Sequence, residues 1–276
     1  MPKIHANGAD FYYELTGSGP YLVQISGAVS GHEAYAPITP VMAEHFTVLD
    51  FDHRGYGLSD RPDQIYDIGV WSEDLAAMLD ALGIEKAHIH GGSMGAFIAV
   101  DFAVNHPERV DTLILGGGAA KSGYWAQCIF RIWQDLANAY GVDSDALIRA
   151  ILVTGFSQTT IDQPGSADGL VEGIRGIIQR NVTPAVFQQA CQAMIDYDVR
   201  DRLGRITRPT LVMVGSDDNL TPLHQEPSGA GMQYMADHIP GAELVIVPNS
   251  GHAHLFERPA ESCRIILDFL LRDRGR

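Results

Sequence analysis

Two hydrophobic rhythms alternate along the chain. Short apolar, β-branched or aromatic runs at Asp10–Leu15, Tyr21–Ile25, His45–Phe51, Ala87–His90, Val110–Leu115, Thr210–Val214 and Glu243–Val247 read as strands. Between them, apolar residues three or four positions apart mark helices. Ile68, Trp71, Leu75, Met78, Leu79 and Leu82 form one such stripe, with Asp67 placed to cap its start and Gly83 to stop it. Ser93–Asn105 reads as a second helix, ended before Pro107, and Pro259–Arg272 as the last. Strands and helices in this succession predict an α/β fold with a mostly parallel sheet covered on both faces.

The strand rhythm stops between Ala119 and Arg202. Helical patterns run over Tyr124–Tyr140 and Pro184–Tyr197, while glycine and proline interrupt the stretch from Gly155 to Gly176. The expected organisation is one α/β core built from residues 1–118 and 203–276, with residues 119–202 inserted as a helical lid. There is no internal repeat.

Composition narrows the function. Of 276 residues, 19 are Lys or Arg and 34 are Asp or Glu, a formal net charge of −15. That excludes a basic face for nucleic acid and disfavours anionic membranes. Hydrophobic residues at 46% and charged residues at 19% exclude a disordered chain. The apolar stretch Ala96–Val104 is broken by Asp101, far short of the roughly 20 residues a membrane span needs. Met1–Asp10 lacks the apolar centre of a signal peptide. Cys128, Cys191 and Cys263 are too few and too scattered for a disulfide framework or a zinc module. These features predict a cytoplasmic protein whose partner is a small-molecule substrate, with self-association into a homo-oligomer left open.

The sharpest motif is Gly91-Gly92-Ser93-Met94-Gly95, a G-x-S-x-G between a strand and a helix. So abrupt a turn strains its central residue and projects the side chain outward, and flanking glycines remove clashing Cβ atoms. The following helix aims its N–H groups at the reacting centre. A serine nucleophile needs a base, and the base needs a carboxylate to hold its tautomer. Two later strands end in suitable groups: Thr210–Val214 leads to Asp217 and Asp218, and Glu243–Val247 leads to His252 and His254. Open α/β sheets place their sites at such strand ends.

Over nearly its whole length the chain resembles the α/β-hydrolase superfamily. The resemblance rests on Asp52-His53-Arg54-Gly55-Tyr56-Gly57-Leu58-Ser59, the Ser93 turn, Gly215 through Pro222, and Gly251-His252 through Glu257-Arg258-Pro259. It implies Asp218 as the acid, three residues after a Gly and four before a Pro, and His252 as the base, directly after a Gly. It also implies an oxyanion hole from the backbone N–H groups of Met94 and Ala28. Here Ser26 replaces the usual His of a His-Gly-x loop, as in 3-oxoadipate enol-lactonases. Members that hydrolyse carbon–carbon bonds usually carry Trp after the histidine, where this chain has Ala253. Dehalogenases and epoxide hydrolases of the superfamily place Asp where Ser93 stands. The resemblance therefore implies a serine hydrolase of a small ester or lactone. A carbon–carbon bond hydrolase and a triad-bearing receptor are the alternatives.

Other signals carry less. Gly116–Ser122 lacks the glycine a phosphate loop needs before Lys121, and the pairs His88/His90 and His252/His254 lack a third metal ligand. Neither metal nor organic cofactor is expected. Asp52–Ser59 reads as a structural turn beside the site. The inserted segment is rich in apolar side chains, and Trp125, Trp133, Phe156 and Met194 are the expected pocket residues. Arg131, Arg175 and Arg180 read as surface charges.

Overall fold

The structure, a computed structural model, describes residues 2–272. Eight strands form one sheet: β1 (Lys3–Ala6), β2 (Ala9–Gly17), β3 (Tyr21–Ile25), β4 (Thr47–Phe51), β5 (Ala87–Gly92), β6 (Val110–Gly116), β7 (Thr210–Gly215) and β8 (Glu243–Val247). Their spatial order is β1-β2-β4-β3-β5-β6-β7-β8. Only the β1/β2 and β2/β4 pairings are antiparallel. The parallel remainder matches the alternation of strands and helices in the sequence.

Period-two packing builds two cores from one sheet. Val23, Leu49, Ile89, Leu113, Leu115, Val212 and Val214 face one side, where helices Ile68–Ala81 and Met94–Asn105 lie. Leu22, Val48, Ile114, Leu211 and Met213 face the other, against Thr39–Met42 and Pro259–Leu270. The capping reading of the first helix is met: the Asp67 carboxylate accepts the Val70 N–H at 2.8 Å, and Gly83 follows with φ 70°. Asp101, which interrupts the apolar run of Met94–Asn105, is buried yet satisfied by Asn105, Tyr197 and Arg202.

Several elements went unread in the sequence. The sheet starts before Asp10, with β1 joined to β2 through Asn7-Gly8, both at positive φ, the backbone that tight hairpin turns demand. Met232–His238 is a short helix packed on β7 and β8. Between β6 and β7 the chain forms five helices: Tyr124–Tyr140, Asp145–Gly155, Gln158–Ile161, Ser166–Asn181 and Pro184–Asp196. The expected interruption at Gly155–Gly176 is thus corrected for its second half, which is helical despite Gly169, Gly173 and Gly176. Each glycine costs a helix about 1 kcal/mol, but Val171, Ile174 and Ile178 bury an apolar face that outweighs this.

Gly173 lies inside that helix without a positive φ, and open space surrounds the position of a Cβ. Gly173→Ala should therefore raise the thermal midpoint by about 1–3 °C, from roughly 0.5–1 kcal/mol of helix propensity. Differential scanning calorimetry checks this.

Candidate active site

β5 ends at Gly92 and the next helix begins at Met94, which leaves Ser93 to turn the chain alone, at φ 57° and ψ −125°. A non-glycine residue held there costs about 1–3 kcal/mol and persists only where its surroundings enforce it. They do: the Ser93 N–H donates to the Gly116 carbonyl at 2.7 Å. A Cβ on Gly91 would stand 2.1 Å from the Gly95 carbonyl oxygen, and one on Gly95 only 1.9 Å from that of Ile25. Glycine is therefore the one residue type that fits either position.

The candidate acid and base, Asp218 and His252, follow β7 and β8. Asp218 is buried, and its Oδ2 lies 3.0 Å from Nδ1 of His252. Its Oδ1 accepts the N–H groups of Leu220 and Thr221 at 2.9 and 2.8 Å, and the Thr221 hydroxyl reaches Oδ2 at 3.1 Å. Burial pushes the carboxyl up, but the charge and hydrogen bond of His252 and the two Thr221 donors outweigh it. Asp218 is held below its ordinary range and stays ionised. Asp217 instead faces solvent. His254 turns into the core against Ser262, and burial together with neighbouring His252 pushes it down to about 4.

Nε2 of His252 is buried with no hydrogen-bond partner among the described residues, so it is not bonded to the Ser93 hydroxyl. Both residues line one cavity of about 340 Å³. Such contacts are commonly open without substrate. Ala28 lines the same cavity beside Gly27, whose absent Cβ would stand 3.1 Å from the Ser93 Cβ. Met94 opens its helix, where an N–H has no intrahelical acceptor.

The loop bearing Ala28 is braced by the segment read as a structural turn. The His53 ring bonds the Ser26 carbonyl at 3.1 Å, and the Tyr56 hydroxyl donates to that of Ala28 at 3.2 Å. Ser26 spans the loop to the Ser30 carbonyl at 3.4 Å. Thus two residues from another loop brace the backbone on either side of Gly27.

A family model for the α/β hydrolase fold matches residues 20–259. The chain belongs to the α/β-hydrolase family. It is 28% identical over 270 residues to a putative carbamate hydrolase, RutD, of Azorhizobium caulinodans, covering 98% of each protein. It is 32% identical to a 2-hydroxy-6-oxononadienedioate/2-hydroxy-6-oxononatrienedioate hydrolase of Comamonas testosteroni, covering 97% of this chain and 91% of that one. The enol-lactonase structure from Burkholderia xenovorans superposes with a TM-score of 0.86 at 25% identity, over 98% of this chain and 100% of that one.

Within this α/β hydrolase the pocket residues divide. Trp133, Phe156 and Met194 line the cavity. Trp125 does not, which corrects the sequence reading: it is 61% exposed and its indole N–H donates to the Asn219 carbonyl at 2.6 Å. The buried face of its helix is Ala126, Ile129, Phe130, Trp133 and Ala137, and Trp125 lies roughly a quarter turn from its centre. Ile132 of the same helix is exposed as well. No Asp, Glu, Lys or Arg lines the cavity among the described residues. Arg175 pairs with Asp145 and Arg180 with Glu33, outside it.

The residues that tie the site together went unnoticed. The Glu257 carboxylate accepts the N–H groups of Gly251 and Ser157 and both the Ser157 and Thr160 hydroxyls, joining the His252 loop to the insertion. Its place in the quoted Glu257-Arg258-Pro259 segment was the available signal. Gly117 leaves its side-chain space to the His252 ring, 2.8 Å from where a Cβ would be. The glycine run Gly116–Gly118 therefore serves as the exit from β6. His32, Glu33 and Asp52 bring ligand atoms within 4.8 Å of one another. Hydrogen bonds to Asp52 and from Asn181 already engage them.

Beneath the turn, burial pushes His90 down to about 3. Unfolded, His90 and His254 take up protons near pH 6.5; folded, they resist until about 3 and 4. Their neutral forms thus contribute stability that is complete above pH 6.5 and is lost as pH falls toward 4 and 3. Asp50, raised by burial to about 7, works in the opposite sense. Urea midpoints measured from pH 7 to 4 should fall less steeply in His90→Leu than in the unaltered protein. For the acid, Asp218→Asn should lower kcat by about ten-thousandfold through the wrong His252 tautomer. Asp217→Asn should stay within a few-fold in the same assay.

Proposed function

We propose that the protein is a serine hydrolase of small, uncharged esters or lactones with an apolar part, acting through an acyl-enzyme. The observation that carries this reading is the Asp218–His252 pair on the same uncharged cavity as a strained, outward-turned Ser93. Ser93 Oγ attacks the carbonyl as Nε2 of His252 takes its proton. Asp218 holds Nδ1–H and stabilises the imidazolium. The N–H groups of Ala28 and Met94 receive the oxyanion. His252 then protonates the leaving alcohol and activates the water that releases the acid. The inserted helices act as the lid that excludes bulk water.

The similarity to a dienedioate hydrolase supports carbon–carbon bond cleavage as a second reading. A dioate carries carboxylates, however, and this cavity offers no cation to receive one. Burying a carboxylate unpaired is costly, so the ester or lactone reading is favoured.

Ser93→Ala should reduce hydrolysis of a 4-nitrophenyl ester panel by about a millionfold while circular dichroism stays unchanged. A variant retaining a tenth of the rate would overturn the mechanism, and absence of turnover in the unaltered enzyme would favour a receptor. Phe156→Ala should lower kcat/KM for bulky acyl groups while acetate is cleaved nearly as before. A carboxylate at the end of the acyl chain should cost about a hundredfold or more in kcat/KM relative to its neutral isostere.

A further inference from the structure

The residues on either side of His252 are both tied to the insertion. On one side, the Ala253 N–H donates to the Gly155 carbonyl at 2.7 Å. On the other, the Gly251 N–H donates to the Glu257 carboxylate at 2.6 Å. That carboxylate also accepts the Ser157 N–H at 3.1 Å and the Ser157 hydroxyl at 2.5 Å. Between these two anchors the backbones touch. A Cβ on Gly251 would stand 2.7 Å from the Phe156 carbonyl carbon and 2.8 Å from the Ser157 nitrogen, so only glycine lets the insertion approach there. A carboxylate suits the joint because, ionised, it only accepts, with about four acceptor sites on its two oxygens. Ser157 is fully buried, and neither it nor Glu257 lines the cavity, whereas Phe156 does. The bond from Nδ1 of His252 to Asp218 fixes one edge of the ring. The backbone that carries the ring is held by the insertion.

We infer that Gly155–Ser157 of the insertion, together with Glu257, positions His252 for proton transfer with Ser93, which makes Ser157 and Glu257 positioning residues of the reaction; this rests on the reading of His252 as its base. Misplacing a reacting group by about 1 Å can cost about a hundredfold in rate. The insertion is then part of the catalytic apparatus as well as the cover of the cavity. Because Phe156 stands between the two anchors, the cavity wall and the base are carried by one joint.

The test uses Ser157→Ala, which removes the hydroxyl alone, and Glu257→Gln, which keeps the shape but turns an amide donor toward groups that themselves donate. With a 4-nitrophenyl ester, each should lower kcat by about tenfold or more and leave KM within a few-fold. Each substitution is then repeated in His252→Ala, whose remaining activity comes from the oxyanion donors and binding alone. Groups that act through His252 should take little further from that activity. An equal fractional loss with and without His252 would overturn the positioning role, because it would report damage to the cavity or the fold. So would an unchanged kcat in both variants, or a rise in KM alone. Should neither variant fold, amide hydrogen exchange of the unaltered protein replaces them. Gly251, Ala253 and Ser157 should open together, with one free energy and one urea dependence. Opening at Ser157 while Gly251 and Ala253 stay protected would overturn the role. If His252→Ala itself kept a tenth of the unaltered rate, the reading of His252 as the base would fall, and the positioning role with it.

Discussion

The site depends on one close approach: the start of helix Met94–Asn105 sits against the carboxyl end of β3, with no room for a side chain at Gly95. That contact does three things together. It forces the turn at Ser93 into a single residue. It brings the loop after β3, with Gly27 and Ala28, against the nucleophile. It also leaves the Met94 N–H at a helix start rather than inside a ladder. Strain at Ser93 and preorganised donors beside it are thus two results of one packing decision, and the Tyr35 hydroxyl reinforces it by bonding the Ile25 carbonyl at 3.0 Å.

Much of this was legible because it is local. A strand, a G-x-S-x-G and a helix are contiguous, so the turn and its strain can be read from a dozen residues. The acid and base stand at fixed offsets from strand ends, and the structure sets Asp218 and His252 together while Asp217 and His254 turn away in opposite directions, one to solvent and one to the core. What escaped reading depends on tertiary packing. Ser166–Asn181 looks broken by its glycines until Val171, Ile174 and Ile178 find their partners. Trp125 and Trp133 belong to one helix with more apolar residues than one face can hold. Trp133 turns inward, edge-on to Phe130 of its own helix and stacked on Phe187 of Pro184–Asp196.

Charge is distributed to the same end. A net −15 chain keeps every Asp and Glu among the described residues off the cavity wall, yet one carboxylate, Asp218, is held ionised just behind it. His90 and His254 are kept neutral by burial, and of these three histidines it is His252 that meets a carboxylate, Asp218, at 3.0 Å. In an apolar cavity, uncompensated charge would compete with the charge that develops at the oxyanion. For the proposed acyl transfer, neutral histidines and an uncharged cavity wall would avoid that competition.

The last constraint concerns how sheet and insertion divide the work. Ser93, Asp218 and His252 all stand just beyond the carboxyl ends of parallel strands, where the ladder fixes them. The cavity residues Trp133, Phe156 and Met194 come instead from the segment between β6 and β7. Those helices are not loosely attached. Glu257 anchors Ser157 to the loop of His252, and Asn181 binds both Glu33 and, through its carbonyl, the Gly57 N–H. A change inside the insertion can therefore alter the cavity wall without moving the strand ends, whereas a change at Glu257 or Asn181 would disturb the joint between them.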